Sequence, residues 1–135
     1  MNCRFCVATT VWMFLLVWAQ PGMCGLRVGT EQGEYQLDVE FGANPVRVGM
    51  NVVTLRLRDM GSKEPVGESM KIEIVPWMPM HEHTVMEMPR IQAMGAGEFR
   101  VEDLHFTMPG DWEVHLRMDS GGREDSAVFD VKVEP

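Results

Sequence analysis

The sequence predicts an all-β fold, an immunoglobulin-like antiparallel β-sandwich of about seven strands. Three observations support this prediction. Apolar and polar residues alternate with period two in six stretches, turn-forming residues separate the stretches, and no stretch carries the i, i+3, i+4 stripe of an amphipathic helix. A chain of 135 residues has room for one such domain. A small barrel is the alternative architecture.

Each predicted strand places its apolar residues on one face. In the first three strands these residues are Tyr35, Leu37, Val39 and Phe41, then Val53, Leu55 and Leu57, then Met70, Ile72 and Ile74. In the last three they are Phe99 and Val101 followed by a change of phase to Leu104, Phe106 and Met108, then Trp112, Val114, Leu116 and Met118, then Val128 or Phe129 with Val131 and Val133. We expect one core between two sheets, with Trp112 as its largest contributor.

Turn signals rich in Gly, Pro, Asn and Asp separate these strands. They occupy residues 42–45, 59–62, 94–97, 109–111 and 120–122. Residues 26–34 carry no strong alternation and are interpreted as a short linker before the first strand.

The N-terminal segment has the layout of a secretory leader. A single charge, Arg4, precedes an apolar run that ends in the cleavage-type triplet Val17-Trp18-Ala19. The run is shorter than the roughly 20 residues that span a bilayer. We therefore expect residues 1–25 to be the leader and the start of the linker, and residues 26–135 to be a domain exported to the periplasm or the cell exterior. An uncleaved membrane anchor and lipid attachment at Cys24 are the alternatives.

The composition of the expected domain excludes several functional classes. Residues 26–135 keep all 20 acidic residues and 11 of the 12 basic ones, so their formal net charge is −9, which disfavours nucleic acid as a partner. The cysteines, at positions 3, 6 and 24, all lie in or beside the leader. No G-x-S-x-G elbow, phosphate loop or dinucleotide motif occurs. The sequence therefore predicts neither an enzyme nor a protein with a small-molecule substrate.

The stretch "PWMPMHEHTVMEMP", residues 76–89, is the Met/His segment and the one candidate for chemistry. Thioether sulfur and imidazole nitrogen together favour copper over hard ions. The predicted ligands of a copper ion are Met80, His81 and His83, with Met78, Met86 and Met88 as further thioethers for Cu(I). In an extended segment, Met78 and Met80 would share one face and the two histidines the other.

Two alternatives to a copper site stay open. Methionine is also an adaptable core residue, and ten of the 13 methionines lie beyond residue 26. Alternatively, the Met/His segment is the docking surface of a metal-free interaction module that binds a membrane or periplasmic partner protein. His105 and His115 lie on polar strand faces and are predicted to be exposed bystanders.

Three stretches resemble the YtkA-like domain family, which is related to FixH-type domains. They are "GANPVRVGMNVVTLRLRD", "IVPWMPMHEH" and "GAGEFRVEDLHFTMPGDWEVHLRM". The resemblance covers residues 36 to 133 and includes a Met-Pro-x-Met-x-His type turn and a Thr-Met-Pro-Gly-x-Trp element. It implies an extracytoplasmic immunoglobulin-like sandwich, with relatives among copper-handling, oxidase-assembly and efflux proteins.

Overall fold

The structure, a computed structural model, describes residues 25–84 and 87–135. Over these residues the chain forms ten strands and one short 3₁₀ turn. They are β1 (Leu26–Gly29), β2 (Tyr35–Phe41), β3 (Val46–Arg47), β4 (Gly49–Asp59), β5 (Lys71–Met78), the 3₁₀ turn (Pro79–His81), β6 (His83–Thr84), β7 (Arg90–Gly95), β8 (Glu98–Phe106), β9 (Gly110–Ser120) and β10 (Arg123–Glu134). The predicted turns coincide with the ends of these strands.

The strands form two five-stranded sheets that face each other. Sheet A has the order β1-β2-β4-β8-β7 and sheet B the order β3-β10-β9-β5-β6. All pairings are antiparallel except that of β3 with β10, which is parallel. The predicted immunoglobulin-like sandwich is confirmed. The strands outnumber the predicted seven because short edge strands, of two to six residues, carry too few alternations to be recognised.

The core lies between the two sheets and contains the residues that alternation placed there. The apolar residues predicted to face inward are buried, except Phe41, Ile72 and Met108, which are half-buried and pack against the core. Phe129 is buried and Val128 is 40% exposed, which settles the phase of β10. Trp112 is the largest fully buried side chain, as predicted.

A β-bulge in β8 causes the predicted change of phase. Val53 of β4 pairs with Val101 of β8, but Asn51 pairs with Leu104, so one residue of β4 faces two of β8. Asp103, one of the two, has a φ of 61°, in the left-handed region. The extra residue shifts the alternation of β8 by one position. The apolar residues before and after the bulge therefore both face the core.

The interpretation of residues 26–34 as a linker is wrong for its first part. Residues 26–29 form β1, which pairs with β2 so that Val28 lies opposite Leu37 and is buried. Backbone pairing with β2 holds this short strand in place, and it does not need a long alternating pattern of its own. Residues 30–34 are the loop that leads into β2.

The buried carboxylate of Asp125 fixes this loop to β10. Its Oδ1 accepts hydrogen bonds from the backbone N–H of Gln32 and of Ser126, both at 2.8 Å, and its Oδ2 accepts one from Glu34 N–H at 3.0 Å. Burial by itself disfavours the charged form, but the hydrogen bonds from Thr30 and from these backbone groups outweigh it and lower the pKa of Asp125 below its ordinary value.

We expect Asp125→Asn to lower the free energy of unfolding at neutral pH by on the order of 2 kcal/mol, because an amide cannot accept all three bonds and buries an unmatched N–H. A carboxylate with a lowered folded pKa stabilises the protein above the unfolded pKa near 4, and this contribution is lost as the pH falls through the folded pKa.

Urea unfolding of both proteins between pH 7 and pH 2 measures the effect. The deficit of the variant should shrink below about pH 4, whereas the exposed Asp130→Asn control should leave neutral-pH stability nearly unchanged. A constant deficit at every pH contradicts the assignment.

Candidate functional site

The Met/His segment forms a narrow hairpin at one end of the sandwich and then crosses from sheet B to sheet A. Trp77 and Met78 of β5 pair with Thr84 and His83 of β6. The 3₁₀ turn joins the two strands, and Glu82, which ends the turn, has a left-handed φ of 46°. Beyond β6 the chain leads to β7 of the other sheet.

The segment is not extended through the predicted ligands, so its residues do not divide into the expected two faces. Pro79 occupies the start of the 3₁₀ turn, where its fixed φ suits a helical conformation. Met78 and Met80, on either side of this proline, lie in opposite environments. Met78 is 4% exposed, whereas Met80 is 83% exposed.

Met78 belongs to the core and supports the base of the hairpin. Its side chain packs against the turn between β8 and β9, where its Cε lies 2.6 Å from the position that a Cβ on Gly110 would occupy. Glycine at position 110 therefore leaves the room that the Met78 methyl group fills. Met78 is therefore buried, unlike the exposed Met80 and His81 that follow it.

The exposed donors lie at the tip and at the far end of the segment. Met80, His81 and Glu82 project from the turn, and all three are exposed. His83 follows in β6, with a backbone that the structure describes. Met86 lies outside the described residues. Of the three prolines, Pro76 is buried within β5, so Pro79 and Pro89 alone flank the exposed part.

The far end of the segment is attached to β8 through a histidine that was expected to be a bystander. The Nδ1 atom of His105 lies 2.6 Å from Oε2 of Glu87, and the His105 side chain is 26% exposed. Met88, the next residue along the chain, is 80% exposed. β7 pairs with β8 from Arg90 onward, with Arg90 opposite Glu102. Because the two strands are antiparallel, the residues just before Arg90 run beside the residues just after Glu102, and this places Glu87 near His105. The sequence offers no sign of this contact apart from the pattern of the β8 strand.

His115 has a similar partner on the other sheet. Its Nε2 lies 2.9 Å from Oε2 of Glu113, and its side chain is 45% exposed, so the predicted exposure is confirmed. Its neighbours across the strands are Val75 of β5 and Val128 of β10. This histidine therefore stands among aliphatic side chains and one carboxylate.

Within residues 25–84 and 87–135, leaving aside the side chains of residues 83 and 84, no three side chains of His, Cys, Asp or Glu lie close enough together to hold one metal ion. Over the same residues no helix has the length and apolar character needed to cross a membrane.

Comparison with known proteins identifies the family. Neither the curated proteins nor the solved structures contain a significant match to the chain. The sequence profile of the YtkA-like family matches residues 30–117, from the loop after β1 to the second half of β9. This range includes the Met/His segment, the bulged strand β8 and the turn that holds Gly110. Since the match covers well over half of the sequence, the chain belongs to the YtkA-like family.

Proposed function

We propose that this protein is an exported copper-binding carrier or buffer that holds the ion at the Met/His segment without catalysing a reaction. The observation that carries the proposal is the exposure of two consecutive residues, Met80 and His81, in the turn at the tip of a hairpin, where His83 follows His81 by two positions. Met80 is 83% exposed and the imidazole of the next residue is exposed as well, so both donors are accessible to an ion in solution.

The donor set suits copper in an oxidising compartment. Thioethers select Cu(I), and imidazole binds both Cu(I) and Cu(II). Neither group is consumed by disulfide formation, which removes thiols outside the cytoplasm. The proposed ligands are Met80, His81 and His83, with Met86 and Met88 as additional thioethers. Met78 is assigned to the support of the hairpin, because its side chain is buried against Gly110.

The framework around the tip favours binding with little rearrangement. β6 pairs with the end of β5, and Pro79 restricts the first residue of the turn. A loop that is already closed loses less conformational entropy when it binds an ion. The acidic character of the chain, with a formal net charge of −8, raises the local concentration of cations.

Export to the periplasm or cell exterior is part of the same proposal. It follows from the leader-like layout of the first residues, with Arg4, the apolar run and the Val17-Trp18-Ala19 triplet. These residues lie outside the described part of the chain. Within the family resemblance, a role beside an oxidase-assembly or efflux complex would supply the partner that receives the ion.

We expect the full chain, with Cys3, Cys6 and Cys24 changed to serine, to retain Cu(I) against a competing chelator and to bind zinc weakly. His81→Ala/His83→Ala should lower its Cu(I) affinity by more than about 100-fold, since losing even a residue that supports a ligand typically costs 10–100-fold. Met80→Leu/Met86→Leu should weaken Cu(I) much more than Cu(II). Binding should also weaken in acid, because protons compete for the imidazoles.

His115→Gln is the matched control, since this histidine is exposed but lies on the outer face of sheet B away from the hairpin tip. It should bind copper as the parent protein does. Equal affinity in the His81→Ala/His83→Ala protein and its parent would exclude the hairpin site.

The second candidate function is a metal-free interaction module for a membrane or periplasmic partner. The exposure of Met80 and Met88, at 83% and 80%, favours it, because flexible methionines adapt to varied apolar partners. The copper titration separates the two functions. A parent protein that takes up no copper, but binds a partner through residues 78–88, would replace the first proposal by the second.

A further inference from the structure

A second pair of soft donors lies on the outer face of sheet A, apart from the hairpin tip. Met50 of β4 and His105 of β8 are direct cross-strand partners. Side chains at such positions have Cβ atoms about 4.5–5.5 Å apart, close enough for both to reach one ion. Met50 is 59% exposed, so its thioether is accessible to an ion in solution.

The contact with Glu87 prepares the His105 ring for a ligand. A carboxylate only accepts hydrogen bonds, so the 2.6 Å contact with Oε2 of Glu87 places a proton on Nδ1. In the neutral ring the lone pair is then on Nε2, the nitrogen that the carboxylate does not occupy. Histidines that bind metals usually have this arrangement, with the second ring nitrogen held by a carboxylate or carbonyl.

Comparison with His115 shows that the combination is specific to His105. Both histidines have a carboxylate partner, Glu113 in the case of His115. The cross-strand neighbours of His115 are two valines, whereas His105 has a methionine. A thioether beside a carboxylate-oriented imidazole therefore occurs at His105 and not at His115.

We propose that Nε2 of His105 and the sulfur of Met50 form a second Cu(I) site, with Glu87 as the positioning residue. One imidazole and one thioether are a donor set that selects Cu(I) over hard divalent ions. The site uses side chains of β4 and β8 and so does not depend on the hairpin ligands His81 and His83.

The test uses the full chain with Cys3, Cys6 and Cys24 changed to serine and with His81→Ala/His83→Ala, which removes the hairpin site. Titration with Cu(I) alone, followed by ¹H–¹⁵N spectra of the imidazoles, should show one bound ion and a shift of the His105 Nε2 signal. Met50→Leu, which keeps the size of the side chain, should lower the affinity by about 10-fold or more, and Glu87→Gln by 10- to 100-fold. His115→Gln should have no effect.

Each outcome either supports or excludes the second site, and the experiment distinguishes that site from the hairpin site. Loss of the ion in Met50→Leu and Glu87→Gln proteins with unchanged thermal unfolding supports the second site. No Cu(I) bound in the His81→Ala/His83→Ala protein, or an ion whose affinity is unaffected by Met50→Leu and His105→Gln, overturns it. A hairpin site that fails while the His105 signal still shifts refutes the first proposal alone.

Discussion

Trp112→Ala is expected to lower the free energy of unfolding by about 3–5 kcal/mol, a large part of the stability of a domain of this size. The indole is 1% exposed and packs edge-on against Phe106, with ring centroids 5.4 Å apart. Its Nε1–H donates a hydrogen bond of 3.0 Å to the carbonyl of Met108. Alanine therefore leaves a cavity in the core and removes a hydrogen bond to the turn between β8 and β9.

Urea unfolding followed by far-UV circular dichroism measures this loss. Trp112→Phe keeps an aromatic ring but loses the N–H donor, so its deficit should be smaller than that of alanine. Trp77→Ala is the control, because this half-buried tryptophan lies near the end of β5 and should cost less. Unfolding of Trp112→Ala at the same urea concentration as the parent would mean that Trp112 is not a core residue.

Gly97→Ala is expected to cost about 3 kcal/mol or more, because the substitution meets two obstacles at once. Gly97 has a φ of 73°, a conformation that side chains disfavour. In addition, a Cβ there would lie 2.3 Å from the carbonyl oxygen of Leu57, and backbone atoms cannot move aside cheaply. The clash would also disturb the hydrogen bond of 2.8 Å from Leu57 N–H to the Gly97 carbonyl.

Gly33→Ala separates the two obstacles, because Gly33 has nearly the same φ, 71°, with no atom within 4 Å of the position that its Cβ would occupy. Gly33→Ala should lower the free energy of unfolding by only about 1 kcal/mol. Thermal unfolding of both variants gives the comparison. Equal losses would show that the close approach of Gly97 to β4 contributes nothing beyond its backbone conformation.

Alternation of apolar residues predicted the long strands well, because a half-buried strand must place every second side chain in the core. The phase change in "GEFRVEDLHF" was visible for the same reason, although the bulge opposite β4 that causes it was not. The short strands β1, β3, β6 and β7 were missed. They are held by backbone pairing with a neighbour, and backbone hydrogen bonds impose no residue pattern.

The candidate site was predicted as a segment but not residue by residue. Met78 continues the inward-facing series of Ile74 and Pro76, and all three side chains are buried. The alternation of β5 therefore includes Met78, which was predicted to be a ligand instead. The contact between Glu87 and His105 depends on the alignment of the Met/His segment with β8, which residue types do not reveal. Whether either donor cluster binds copper stays a prediction.

The shortness of β6 has a consequence for how these molecules behave in a crowded compartment. Among the described residues, β6 covers the outer side of β5 only at Trp77 and Met78, so the rest of β5 is an open edge. Open edges invite strands of other chains to add to a sheet and start fibrous assembly. Pro76 interrupts this edge because it has no N–H to donate, and the exposed charges of Lys71 and Glu73 would have to be desolvated by an incoming strand. The strand that leads into the methionine-bearing hairpin therefore also discourages intermolecular sheet growth.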